Sequence, residues 1–127
     1  QHAYQEIKRE DDAEEFVRSR NNLGILLYNQ GEYNEAKKVF REITRDDNPK
    51  EFAFICINFG VILKECNELV EAKEVLENIN KDDGEYLLCK ARLIIGEILL
   101  YQGEYDNAKK LFDWTGAINC SRFIHTF

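Results

Sequence analysis

The chain has 127 residues, of which 44% are hydrophobic and one is Pro, and it carries a formal net charge of −7. That length suits one domain with enough apolar side chains to bury a continuous helical core. The acidic balance excludes an extended phosphate-binding surface, which needs clustered Lys and Arg, and no apolar run reaches the roughly 18 residues of a membrane span.

Taken in order, the chain opens in register with its later segments. Tyr4-Gln5-Glu6-Ile7 aligns with Phe40-Arg41-Glu42-Ile43 and with Leu76-Glu77-Asn78-Ile79 at a constant 36-residue step, and Phe16, Phe52, Leu88 and Ile124 continue the register. Residues 1–16 are therefore expected to be the second helix of a partial preceding repeat, with its turn. Together with the lack of any Met, this suggests a fragment, or a processed chain, cut from a longer array. No signal-peptide pattern stands at this end.

Three full units come next, expected at residues 17–52, 53–88 and 89–124, with an irregular tail to 127. Asn22–Phe40 returns as Asn58–Leu76 and as Ile94–Phe112. Gly24, Gly60 and Gly96 keep the step, as do Ala36, Ala72 and Ala108. A fixed period of this size is the mark of a stacked repeat architecture. In the first unit Leu23, Leu26, Leu27 and Gln30 fall on one stripe of a first helix, and Ala36, Val39, Phe40 and Ile43 on one stripe of a second. Between them Gln30-Gly31-Glu32-Tyr33 breaks the helix, Gly supplying a left-handed cap residue. Unit three repeats this as Gln102-Gly103-Glu104-Tyr105. Unit two has Cys66-Asn67-Glu68-Leu69, and Asn is the next-best left-handed residue. The small residues at Gly24 and Ala36 predict close approach of the paired helices.

Acidic linkers join the units: Glu10-Asp11-Asp12, Asp46-Asp47-Asn48 and Lys81-Asp82-Asp83-Gly84. Asp and Asn there are expected to cap the next helix, and Pro49 to start one. They lack the ligand spacing of a calcium loop. Cys56, Cys66 and Cys89, at first-helix positions, are read as free, small hydrophobes, which points to a reducing, intracellular (cytoplasmic) setting. His2 and His125, the two histidines, stand near the ends, and carboxylates fall near lysines on solvated faces, as in Glu32/Lys37 and Glu68/Lys73. With no nucleophile–base pair and no phosphate loop, no enzyme, metal or cofactor is expected. From Asp113 the pattern lapses: Trp114, Thr115 and Gly116 replace the expected residues, and Ile118, Phe123, Ile124 and Phe127 make the tail apolar. That tail either caps the stack or leaves an open end that favours self-association.

These residues resemble the tetratricopeptide repeat. Leu23-Gly24, Leu27, Gly31, Tyr33, Ala36 and Phe40 fill the motif's places in unit one. Phe59-Gly60, Leu63, Asn67, Leu69, Ala72 and Leu76 fill them in unit two, and Ile95-Gly96, Leu99, Gly103, Tyr105, Ala108 and Phe112 in unit three. The early first-helix aromatic of the family is replaced by Arg20, Cys56 and Arg92. The resemblance implies an all-α fold: a solenoid of antiparallel helix pairs in a right-handed superhelical stack, about three repeats plus a partial leading helix. It also implies a non-catalytic, protein-binding scaffold or adaptor that holds a peptide or partner segment in a concave groove lined by first helices.

Carried over place by place, the resemblance assigns the lining. Unit one gives Arg18, Asn21, Asn22, Ile25 and Tyr28. Unit two gives Phe54, Ile57, Asn58, Val61 and Lys64. Unit three gives Lys90, Leu93, Ile94, Glu97 and Leu100. Asn22 and Asn58 share one place, and an amide that donates and accepts suits an extended peptide backbone. Phe54, Ile57 and Val61 are expected to form an apolar pocket. The family's carboxylate clamp for chaperone C-termini is matched only at Asn58 and Lys90, since Asn21, Ile25 and Ile94 stand where Lys, Asn and Arg belong. The Asn-rich first helix also resembles that of bacterial quorum-sensing regulators. On that reading the chain is a peptide-sensing domain serving an attached effector; a third reading makes it an oligomerisation module.

Overall fold

The computed structural model describes residue 8 and residues 12–117, with side chains as far as Trp114. The expected leading helix, with Tyr4 and Ile7, lies outside the described residues, as do His2, Cys120, His125 and the apolar tail residues Ile118, Phe123, Ile124 and Phe127.

Among the described residues all regular structure is helical. In chain order come α1 (Ala13–Asn29), α2 (Tyr33–Arg41), α3 (Pro49–Glu65), α4 (Leu69–Leu76), a 3-10 turn (Lys81–Asp83), α5 (Glu85–Tyr101) and α6 (Tyr105–Ala117). The first helices α1, α3 and α5 start at Ala13, Pro49 and Glu85, and the second helices at Tyr33, Leu69 and Tyr105, the same step that spaces the sequence copies. The chain divides into two compact units, Gln1–Ile55 and Cys56–Phe127, the division falling within α3.

Each first helix ends in the same way. Glu32 N donates to Leu27 O at 2.9 Å and Gly31 N to Tyr28 O at 3.0 Å, satisfying carbonyls that a helix end would otherwise orphan. Glu68 N with Leu63 O, and Glu104 N with Leu99 O, repeat the longer bond at 2.8 and 2.9 Å. The reversal needs a left-handed residue, and Gly31, Asn67 and Gly103 take φ of 81°, 61° and 76°. The sequence expectation for this turn holds in all three copies, including the Asn.

In the first unit α1 packs against α2. Leu23 and Leu27 of α1 meet Ala36 and Val39 of α2, with Leu26 and Tyr28 at the margin; Phe40 and Ile43 are buried as well. In the second unit α5 packs against α6 and α4. Leu63, Leu76, Ile79 and Ile98 are fully buried there. One contact recurs. An added Cβ on Gly24 would stand 2.6 Å from the Phe40 ring, on Gly60 2.7 Å from Leu76, and on Gly96 2.4 Å from the Phe112 ring. Each first helix has a gap one side chain wide, and the residue sixteen positions on fills it.

The linkers differ in detail. Asp12 caps α1, its Oδ1 accepting from Glu15 N at 3.2 Å. Asp47, buried, instead accepts from Thr44 N and Thr44 Oγ1 at 3.0 and 3.1 Å, closing the turn before α3 opens on Pro49. In the third linker Asn80 and Asp83 form a reciprocal capping box on the 3-10 turn, and Gly84 precedes α5 without a side-chain cap.

Two expectations change. The pattern lapses at Asp113, yet α6 continues as helix through Ala117, because nothing in Asp113–Ala117 breaks a helix as Pro would. Cys56 and Cys66 are free, but Cys89, 0% exposed, is disulfide-bonded. Sequence spacing does not reveal which thiols the fold brings within the roughly 4 Å between Cβ atoms that a disulfide needs. The argument for a reducing compartment therefore loses Cys89.

Two substitutions probe the packing. Gly96→Ala lowers stability by up to about 2 kcal/mol in denaturant titration, because overpacking of about 1–3 kcal/mol offsets or outweighs a helix-propensity gain of about 1 kcal/mol. A more stable variant would show that the Phe112 ring moves aside freely. Ala72→Leu, at a fully buried site, costs about 1–3 kcal/mol by the same mechanism and lowers the melting temperature.

Candidate functional site

The residues expected to line the site lie on the first helices, and each unit is described by itself. On α1, Arg18, Asn21, Asn22, Ile25 and Tyr28 recur at three- and four-residue spacing and so share a stripe. Arg18 and Asn22 are exposed; Asn21, Ile25 and Tyr28 are half-buried. Arg18 Nη1 donates to Glu15 Oε1 at 2.7 Å, with Glu14 at 4.0 Å. That hydrogen bond to Glu15, with the negative charge it brings, pushes the guanidinium pKa up from its already high value. Arg18 therefore presents a charge already shared with its own helix. The Tyr28 ring lies 5.3 Å from that of Tyr33, tilted by 48°, so the turn end of the stripe is walled by two aromatics. Asn21 Oδ1 is buried and accepts no hydrogen bond among the described residues, an arrangement costing roughly 1–3 kcal/mol. Phe54, on α3, is 52% exposed.

In the second unit the stripe continues on the remainder of α3 and on α5. Asn58 and Val61 are half-buried. Ile57 is 4% exposed and belongs to the core, so the expected pocket of Phe54, Ile57 and Val61 does not have Ile57 as an open wall. A helix presents a broad apolar arc, and a position at the edge of the expected stripe falls inside it. Lys64 Nζ donates to Glu97 Oε2 at 3.0 Å, linking α3 to α5. The Lys64 side chain is 21% exposed. Two lining residues are thus brought together, each neutralising the other. Lys90 Nζ lies 5.9 Å from the centre of the Tyr86 ring. Leu93 and Ile94 are half-buried, and Glu97 and Leu100 exposed.

A second cleft, not anticipated from the sequence, opens on the other side of α5. At about 100° per residue, Lys90, Leu93, Ile94 and Glu97 centre on one side of that helix, whereas Leu88, Arg92, Ile95 and Leu99 centre roughly half a turn away. The latter stripe floors a cavity of about 670 Å³ completed by α4, the 3-10 turn and α6. Its cations Lys73, Arg92 and Lys110 could be read in the sequence, but their convergence depends on how three helices pack.

Among the described residues no group of His, Cys, Asp and Glu is placed to hold a metal ion, and no helix is long and apolar enough to cross a membrane. The architecture is that of a helical-repeat protein, three helix–turn–helix units on one constant step. A tetratricopeptide repeat model matches residues 16–43, so that segment, α1 with α2, is similar to a tetratricopeptide repeat. No curated protein and no solved structure matches the chain. Repeats of this family are in general non-catalytic protein-interaction modules.

The ion pair between α3 and α5 gives a direct check. A double-mutant cycle of Lys64→Gln and Glu97→Gln yields a coupling of about 0.2–1 kcal/mol, the range for partly exposed pairs. A coupling indistinguishable from zero would show that the two side chains are independent in solution.

Proposed function

We propose that the chain binds a peptide or partner segment along its first-helix stripes, the faces that the family's stack would turn toward a concave groove. The binding residues on this reading are Arg18, Asn21, Asn22, Ile25, Phe54, Asn58, Val61, Lys90, Leu93 and Glu97, with Ile57 behind them as packing. The observation that carries it is the α1 stripe itself, where the exposed Asn22 lies with the half-buried Asn21 and Ile25 on one side of the helix. An amide side chain that both donates and accepts suits the backbone of an extended peptide. Arg18 and Lys64 are held by carboxylates, so recognition here runs through amides and apolar contact. The ligand favoured is therefore an extended segment with apolar side chains, not a bare carboxylate terminus. A peptide-sensing regulatory domain is one form of the same reading.

Self-association is a second reading with its own observation: Tyr101 and Tyr105, at the turn between α5 and α6, are 74% and 67% exposed, and exposed aromatics favour contact surfaces. A molar mass that climbs with concentration in light scattering would support it; a constant value near 14.9 kDa would remove it.

The test of peptide binding uses a dodecapeptide selected on the immobilised chain from a random library. Asn58→Ala leaves thermal melting nearly unchanged and weakens fluorescence-anisotropy binding of that peptide by about tenfold, the loss expected for one well-placed amide. Unfolding of the variant would make Asn58 structural; unaltered affinity would remove it from the site.

A further inference from the structure

The cleft beside α5 has a construction that the peptide-binding stripe does not explain. Its floor is apolar: Ile79, Leu88, Ile95, Leu99 and Leu111. Its rim carries four cations, Lys73 from α4, Lys81 from the 3-10 turn, Arg92 from α5 and Lys110 from α6, against one carboxylate, Glu77. This excess stands on a chain whose formal net charge is −7. Among the described residues no ion pair takes up any of the four cations. The cations elsewhere at Arg18, Lys38, Lys64 and Lys109 are all so engaged. Trp114 closes one end, and the Arg92 guanidinium lies 5.7 Å from the centre of its ring. Arg92 is thereby held in place by a cation–π contact that leaves its N–H groups available to a carboxylate.

We propose that this cleft is a second binding site, and that it takes a short acidic peptide segment bearing an apolar anchor residue. A free inorganic anion would leave the apolar floor unused. A nucleic acid would need a basic track long enough to follow a backbone. An acidic segment meets both features, its anchor seated on the floor and its carboxylates received by Arg92 and the surrounding lysines. The cleft draws on the stripe of α5 opposite to Leu93 and Glu97, so it is independent of the first-helix stripe, and either site can fail alone.

Trp114 is the single tryptophan of the chain and reports on the cleft directly. The probe is a synthetic decapeptide of Asp and Glu around one Leu and one Phe, free of Tyr and Trp, titrated against the full chain while Trp114 emission is recorded. The expected result is a saturable change with Kd on the order of 10–100 μM. Lys73→Gln with Lys110→Gln weakens it by about tenfold at an unchanged circular-dichroism melt. Lys38→Gln, removing an equivalent charge in the first unit, leaves it as it was. Arg92→Lys, which keeps the charge but loses the planar fork, weakens it as well. Three results would each overturn the proposal: no change up to about 1 mM peptide; equal binding of the same peptide with Asn and Gln for Asp and Glu; or the same emission change from inorganic phosphate at matched concentration, which would make the cleft a small-anion site.

Discussion

The fold depends on a hole and the side chain that fills it. In each helix pair a first-helix Gly leaves space that a large residue of the second helix occupies: Phe40 against Gly24, Leu76 against Gly60, Phe112 against Gly96. The distances leave no room for a methyl group, so this contact sets how near the two helices come. It also holds the pair in one register, because only one position along the first helix offers the gap. Interiors packed to crystal-like density tolerate little variation in such a contact. The left-handed turn then follows from geometry: with the pair held this close, three residues must reverse the chain, and Gly31, Asn67 and Gly103 provide the backbone to do so.

Packing one stripe of each first helix frees the other. On α1 the buried Leu23, Gly24 and Leu27 face α2, while Asn21, Asn22 and Ile25 fall away from it. The surface proposed to bind is thus a by-product of the fold: it is the side of the first helix that the second helix cannot cover. The side chains placed there are of kinds that a solvated face does not require. Asn21 keeps a buried acceptor without a donor, and Phe54 presents half its surface. On α5 the same logic leaves two faces proposed to bind, one of amphipathic character at Leu93 and Glu97 and one at Arg92, where a basic rim surrounds an apolar floor.

Much of this was legible in the sequence, and the reasons are physical. Helix pairing, turn chemistry and the close glycine contact are local, set by residues within one 36-residue step, and they are written out three times. Even the departure at Asn67 could be read, because Asn and Gly share access to the left-handed region. What was not legible depends on long-range geometry. The bond at Cys89 needs a partner brought close by folding. The burial of Ile57 depends on the width of the packed arc of α3, and the pairing of Lys64 with Glu97, 33 residues apart in the chain, on the spacing of two helices. The cleft around Arg92 gathers residues from three helices and a turn, which no stripe on a single helix predicts.

Ligand contact on the first-helix stripe is open to direct observation by side-chain NMR, titrating the chain with its selected peptide and following the Asn amide groups and the methyl groups. Binding on that stripe makes the Asn21, Asn22 and Asn58 amides and the Ile25 and Val61 methyls shift together and saturate at one concentration. Shifts confined to second-helix residues such as Val39 and Val75, with those amides unmoved, would contradict it.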